Sequence, residues 1–139
     1  MQKPLLWALG ATVFVLSVSK APARDLGQWD DVDPLHRQWF NGLMRPDNPT
    51  LSCCGLADAY WADSYEVSND QHVAIITDTR DDKPLGRVHI ENGKRFVVPN
   101  TKIKWDSGNP TGHGIIFIGH GLEIHCYLPP GGGRCYARS

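Results

Sequence analysis

Two of the four cysteines in this chain are neighbours, Cys53 and Cys54; the other two, Cys126 and Cys135, come more than seventy residues later. No other feature constrains the fold as much. Four cysteines allow three connectivities. Adjacent Cα atoms lie about 3.8 Å apart across a trans peptide, while ordinary disulfides want about 4.4 Å or more, so a Cys53–Cys54 bridge is strained. The other two connectivities tie the Cys-Cys step to the C-terminal segment. A local alternative stays open. Leu128-Pro129-Pro130-Gly131-Gly132-Gly133 reads as a turn, and a hairpin with a four-residue loop sets Cys126 opposite Cys135. Cys53 and Cys54 would then be free, vicinally paired or metal-bound.

Cysteines oxidise to bridges outside the reducing cytoplasm, and the N-terminus reads as an export signal. Lys3 supplies a positive start, Leu5 to Val18 is an uncharged apolar run, and Ala21-Pro22-Ala23 offers small residues for a signal peptidase. Residues 1–23 are therefore expected to be a cleaved signal peptide, and 24–139 a single domain beginning Arg24-Asp25. The run of about 14 residues is shorter than the roughly 20 a membrane span needs, so no span is expected in the mature form. The expected location is the bacterial periplasm or the medium. Removing 23 of 139 residues leaves 116, and loss of Lys3 and Lys20 takes the formal charge from −1 to −3.

That length and a charged fraction of 21% exclude a multidomain enzyme, a coiled coil and a disordered tail. The weakly acidic balance excludes a general nucleic-acid binder, and Arg134 and Arg138 are too few for a phosphate-binding patch.

Asp33-Pro34 opens a helix, with Leu35, Trp39, Phe40 and Leu43 on one face to about Met44. Ser52 caps an expected second helix over Cys53–Trp61. Strands are expected at Tyr65–Ser68, His72–Asp78, Arg87–Ile90, Arg95–Val98, Lys102–Trp105, Ile115–Ile118 and Leu122–Leu128. Asn92-Gly93 joins the third to the fourth as a hairpin, and Thr79–Gly86 is a solvent loop. The fold class is α+β: one or two N-terminal helices packed on a small antiparallel sheet or partly open barrel, stabilised by disulfides.

Three groups of residues carry chemistry. A turn at Gly119-His120-Gly121 would pair Phe117 with Glu123, Ile115 with His125 and His113 with Tyr127. His113 and His125 then become diagonal neighbours, roughly 7 to 8 Å apart at Cβ, a spacing that suits two ligands of zinc or copper. Without that metal no cofactor is expected. Cys53 or Cys54 at a helix start, with His113 or His125 as base, would make a Cys–His hydrolase acting on cell-wall material. Asp58, Asp63 and Glu66 offer carboxylates without distinctive spacing, and Trp29, Trp61, Trp105, Tyr60 and Tyr65 offer a stacking surface. The Gly-rich stretches are not phosphate loops, because no Lys-Ser/Thr follows them.

Ser52-Cys53-Cys54-Gly55 with Asp58-Ala59-Tyr60-Trp61, then Val97-Val98-Pro99, Lys104-Trp105 and Gly108-Asn109-Pro110-Thr111-Gly112-His113-Gly114, resembles a set of small exported bacterial proteins of uncharacterised function. The resemblance runs from about Trp39 to Gly133. It implies bacterial export and a compact single domain, and it assigns no catalytic residue. The expected function is a non-enzymatic binding or interaction module of the envelope. Its partner is a protein, glycan or small ligand, met through a face of Asn109, Thr111, His113, Glu123, His125 and Tyr127.

Overall fold

A computed structural model describes residues 32–55 and 58–131. The expected signal peptide and cleavage site lie outside these residues, as does Cys135.

The chain builds two antiparallel sheets of three strands each. In the first, β1 (Ala59–Trp61) and β6 (Ile124–Leu128) flank β5 (Ile115–Ile118). In the second, β2 (Ser64–Ser68), β3 (Gln71–Ile75) and β4 (Arg95–Val98) pair in chain order. The helix α1 (Pro34–Gly42) starts as the sequence suggests: Asp33 Oδ1 accepts the Leu35 N–H at 2.8 Å, and Pro34 occupies the first helical position.

The first sheet is the middle layer, and alternation along β5 shows why. Ile116 and Ile118 point to one side, joining Tyr60, Tyr127, Ala74 and Val98 in the core between the sheets. Ile115 and Phe117 point to the other, joining Phe40, Leu43, Cys53, Cys126 and Leu128 under α1. All four residues of β5 are buried, so its unbroken apolar run is that of a strand covered on both faces. Phe40 meets Phe117 edge-on at 6.0 Å between centroids, which seats the helix. A Met44–Ser52 bridge and the Cys53 N–H to Leu43 carbonyl bond bring the Cys-Cys step in beneath it. There Cys53 is bonded to Cys126 across a loop of 73 residues. The strained vicinal bridge and the Cys126–Cys135 hairpin bridge are thereby both excluded.

Four expectations are corrected. The Cys53–Trp61 helix is replaced, over its described residues, by a loop with Cys54 and Gly55 at positive φ, running into β1. Apolar residues at helical spacing were instead recruited as the edge of the buried sheet. Arg87–Ile90 is not a ladder strand. Asn92-Gly93 does turn, with Gly93 at φ 85°, but it delivers Lys94 to Ile76 and β4 to β3. Within Thr79–Gly86 lies a one-turn helix, α2 (Asp82–Leu85), capped by Asp81. Finally, the last hairpin pairs Phe117 with Cys126 and Ile115 with Leu128, and slips between Phe117 and Ile118. His125 is the extra residue of that bulge. The expected single sheet is therefore two, with no barrel.

Candidate functional site

The bulge decides the fate of the two histidines expected to pair. His113 precedes the start of β5, whereas His125 faces its end, so they have different neighbours. Around His125 a methyl at Gly119 would strike the Glu123 carboxylate and come within 2.7 Å of the His125 Nε2. A larger residue there would have to turn both side chains aside. His125 is buried, its Nε2 lies 3.5 Å from Glu123 Oε1, and burial pushes it below the ordinary imidazole value. Burial likewise raises Asp58. Among the described residues no three His, Cys, Asp or Glu side chains are grouped to hold a metal ion. The register of the last hairpin does not make His113 and His125 the diagonal neighbours that were expected.

Cys54 follows the bonded Cys53 directly. Its Sγ is 3.5 Å from Arg45 Nη2, and Arg45 also donates to the Ser52 carbonyl. Cys54 has no disulfide partner among the described residues. The helix N-terminus that was to activate a thiol is absent, and Cys53, the other candidate nucleophile, is oxidised.

The other end of β5 carries the richer arrangement. His113 Nδ1 lies 2.9 Å from Asp63 Oδ2, and the Gly114 N–H donates to Asp63 Oδ1 at 2.9 Å. The Asp63 N–H in turn donates to Thr77 Oγ1. The loop feeding His113 is held by Asn109, whose Oδ1 accepts from the Thr111 N–H and hydroxyl and whose amide donates to the His113 carbonyl. The imidazole stacks on Trp61, 4.5 Å between centroids and 14° between planes, and the Arg80 guanidinium lies 3.8 Å from a Trp61 ring centroid.

Arg80 is positioned from below. Asp78, nearly inaccessible, accepts from Arg80, from Arg87 Nη1 at 2.8 Å and from the Trp61 N–H at 3.0 Å. These donors hold its carboxyl far below the usual carboxylate range against the opposing cost of burial. Arg80 and Arg87 both donate to the Ala59 carbonyl, and the Thr77 N–H donates to the Trp61 carbonyl. The outer edge of β1 is thereby satisfied by side chains and a loop instead of a fourth strand. Arg87 continues to Asp82, which also meets His89.

Next to Asp63 the second sheet presents a row of rings. Tyr65 stacks on His72 at 6.3 Å, and His72 meets Trp105 edge-on at 6.0 Å. Tyr65 is 41% exposed and Trp105 55%. Beneath them Tyr127 is fully buried, and burial together with Tyr65 and Asp63 raises its pKa well above that of an ordinary phenol. Neither the buried Tyr127 hydroxyl nor the buried His72 Nδ1 has a hydrogen-bond partner among the described residues.

Of the residues expected to form a binding face, Asn109, Thr111 and His113 are thus together, Tyr127 lies beneath their neighbours, and Glu123 and His125 are at the far end. Asp63, Trp61, Tyr65 and Trp105 were visible as residue types only. Arg80 and His72 were missed. The signal for His72 was its place two residues before the buried Ala74 on the same face of β3.

No family model, curated protein or solved structure matches the chain. The reading of this site rests on its own chemistry.

Proposed function

We propose that the protein is an exported, disulfide-held binding module of the bacterial envelope, and that it meets its partner on the face formed by Tyr65, His72, Trp105, Asp63 and His113. The observation that carries this reading is the Tyr65–His72–Trp105 row, its two outer rings exposed, beside a histidine fixed by a carboxylate. Large rigid rings cost little side-chain entropy to order and present both an apolar face and polar tips. Three further features support it. The disulfide suits an oxidising compartment. Among the described residues no helix is long and apolar enough to cross a membrane. The strand β2 beside the rings is exposed along all five residues, so this side of the molecule is open to a partner.

The test is co-sedimentation of the mature protein with washed envelope fractions. The double variant Tyr65→Ala/Trp105→Ala is expected to leave the pellet, whereas Leu35→Ala, on a helix packed against the other layer, stays with it. Equal retention of both variants overturns the reading.

A further inference from the structure

We propose that the free edge of β2 pairs with the same edge of a second copy of this chain, antiparallel about a two-fold axis at Glu66, so that two three-stranded outer sheets join into one. The proposal goes beyond the envelope partner above and does not depend on it.

The outward main-chain groups of an edge strand need a partner or a guard. Among the described residues both edges of the first sheet are met by other parts of the chain. Arg80, Arg87 and Thr77 reach β1, and the Lys104 N–H donates to the Tyr127 carbonyl of β6 at 2.8 Å. By contrast β2 has β3 on one side only, and all five of its residues are exposed. It carries no proline and no lysine, and its register with β3 is unbroken by any bulge. The usual guards of an edge are missing.

The turn that follows decides which groups face out. Asn69 and Asp70 are both at positive φ, as a two-residue hairpin turn requires. Such a turn closes on a pair that exchanges both main-chain hydrogen bonds, here Ser68 and Gln71, and such pairs alternate along an antiparallel ladder. Glu66 and Ser64 therefore also turn their N–H and C=O toward β3, while Tyr65 and Val67 turn theirs outward. The side chains of these two are uncovered as well. Tyr65 pairs with the buried Ala74 and Val67 with His72, which puts both on the core-facing side of the sheet. The core does not reach them: Tyr65 is 41% exposed and Val67 58%.

The sequence of the edge selects a second copy as its occupant. Ser64-Tyr65-Glu66-Val67-Ser68 reads nearly alike in both directions. With Glu66 on the axis, serine faces serine, and Tyr65 of each copy faces Val67 of the other. The residues with outward main-chain groups thus face each other, and an aromatic ring meets a β-branched side chain, a favourable cross-strand pair. Neighbouring axes fail. An axis at Tyr65 sets Val67 against Asp63, whose N–H is already given to Thr77 Oγ1; an axis at Val67 sets Tyr65 against Asn69, in the turn. Two Glu66 carboxylates meet at the axis, and like charges directly opposite oppose pairing. Each, however, is held by its own Arg95, Nη1 to Oε1 at 2.9 Å and Nη2 to Oε2, so two ion pairs meet there in place of two bare charges. One short strand pair makes a small interface of the transient class, and dilute protein is a monomer.

The experiment measures sedimentation velocity of the mature, oxidised protein over a wide concentration range, with heteronuclear NMR on the same samples. The sedimentation coefficient is expected to rise with concentration, and the Tyr65 and Val67 amide resonances to move with it. Tyr65→Lys and Val67→Glu each replace an exposed side chain, and each should weaken self-association about tenfold. The double variant sets lysine against glutamate on both sides of the axis, and its association is expected to return to the parent's level, a rescue that damage to the fold could not produce. Association unchanged by either single substitution places the contact elsewhere and overturns the proposal. A double variant weaker than both singles overturns the axis at Glu66, and the proposal with it. A monomer at every concentration also overturns it; Tyr65 and Val67 amides protected from exchange in that monomer would assign the edge to another segment of this chain. No envelope fraction enters these measurements, so their outcome is independent of the co-sedimentation result.

Discussion

The edge strands β1 and β2 are separated in sequence by two residues and have opposite surroundings. Strand β1 gives its outward carbonyls and N–H to Arg80, Arg87, Asp78 and Thr77. Among the described residues strand β2 has one neighbour, β3, and every residue of it is exposed. An edge satisfied by buried charges is shut to other chains, while an exposed edge bearing Tyr65 and Val67 is a template for contact. The difference divides the molecule into a middle layer that supplies stability and an outer layer that supplies surface.

Several substitutions press on that division. The largest effects are expected in the middle layer. Replacing Cys53 and Cys126 by serine removes a bridge over a 73-residue loop and should cost about 4 kcal/mol in urea unfolding. Phe117→Ala, in the buried strand paired with that of Cys126, should cost about 3 to 5 kcal/mol. By contrast Val67→Ala, on the open edge, should stay within about 0.5 kcal/mol. A large loss from Val67→Ala would mean that β2 is not merely surface. Next comes the shut edge: Asp78→Asn leaves the buried Arg87 guanidinium without one of its two carboxylate partners and should destabilise by about 3 kcal/mol, whereas Glu91→Gln, exposed near the Asn92-Gly93 turn, should be near neutral.

The pH dependence gives a smaller, signed test. His125 is held below its ordinary value of 6.5, so the unfolded chain takes up its proton first. Its contribution is complete above pH 6.5 and is lost as pH falls through the lowered native value. Denaturation midpoints measured downward from pH 7.5 should fall for the parent and fall less for His125→Gln; identical slopes would reassign the dependence. Asp58 has the opposite sign, because burial raises it. Its ionisation opposes folding at neutral pH, and Asp58→Asn should stabilise modestly in a thermal melt. Finally, Cys54 can be probed by alkylating the native protein and weighing it. We expect no label, with Cys54 joined to Cys135; two added labels would mean that both thiols stand free, Cys54 beside Arg45.

What sequence alone could reveal follows from the range of the forces involved. Local signals held: the Asp33 cap, the turn at Asn92-Gly93 and the uninterrupted Ile115–Ile118 strand each depend on residues a few positions apart. Arg87–Ile90 failed because Arg87 turns inward to Asp78, a partner nine residues earlier whose burial no local pattern announces. The last hairpin failed for a different reason. Its turn residues were recognised, but a bulge beside Phe117 moved the pairing and with it the face of every following side chain. The candidate site was hidden for the first reason. Trp61, Arg80 and His113 come from three segments, and only the closed edge of β1 brings the first two together.

The Cys-Cys step has a consequence for how the molecule is made. An oxidant meeting the extended polypeptide sees two almost identical sulfur atoms side by side, and nothing local tells it which should take Cys126. Only once Leu43 and Phe117 have closed around position 53 do the two become different. Correct linkage therefore follows assembly of the interior, and molecules that oxidise first must be unlocked and tried again, so the yield of this protein should rise with disulfide isomerase supply more steeply than with oxidant supply.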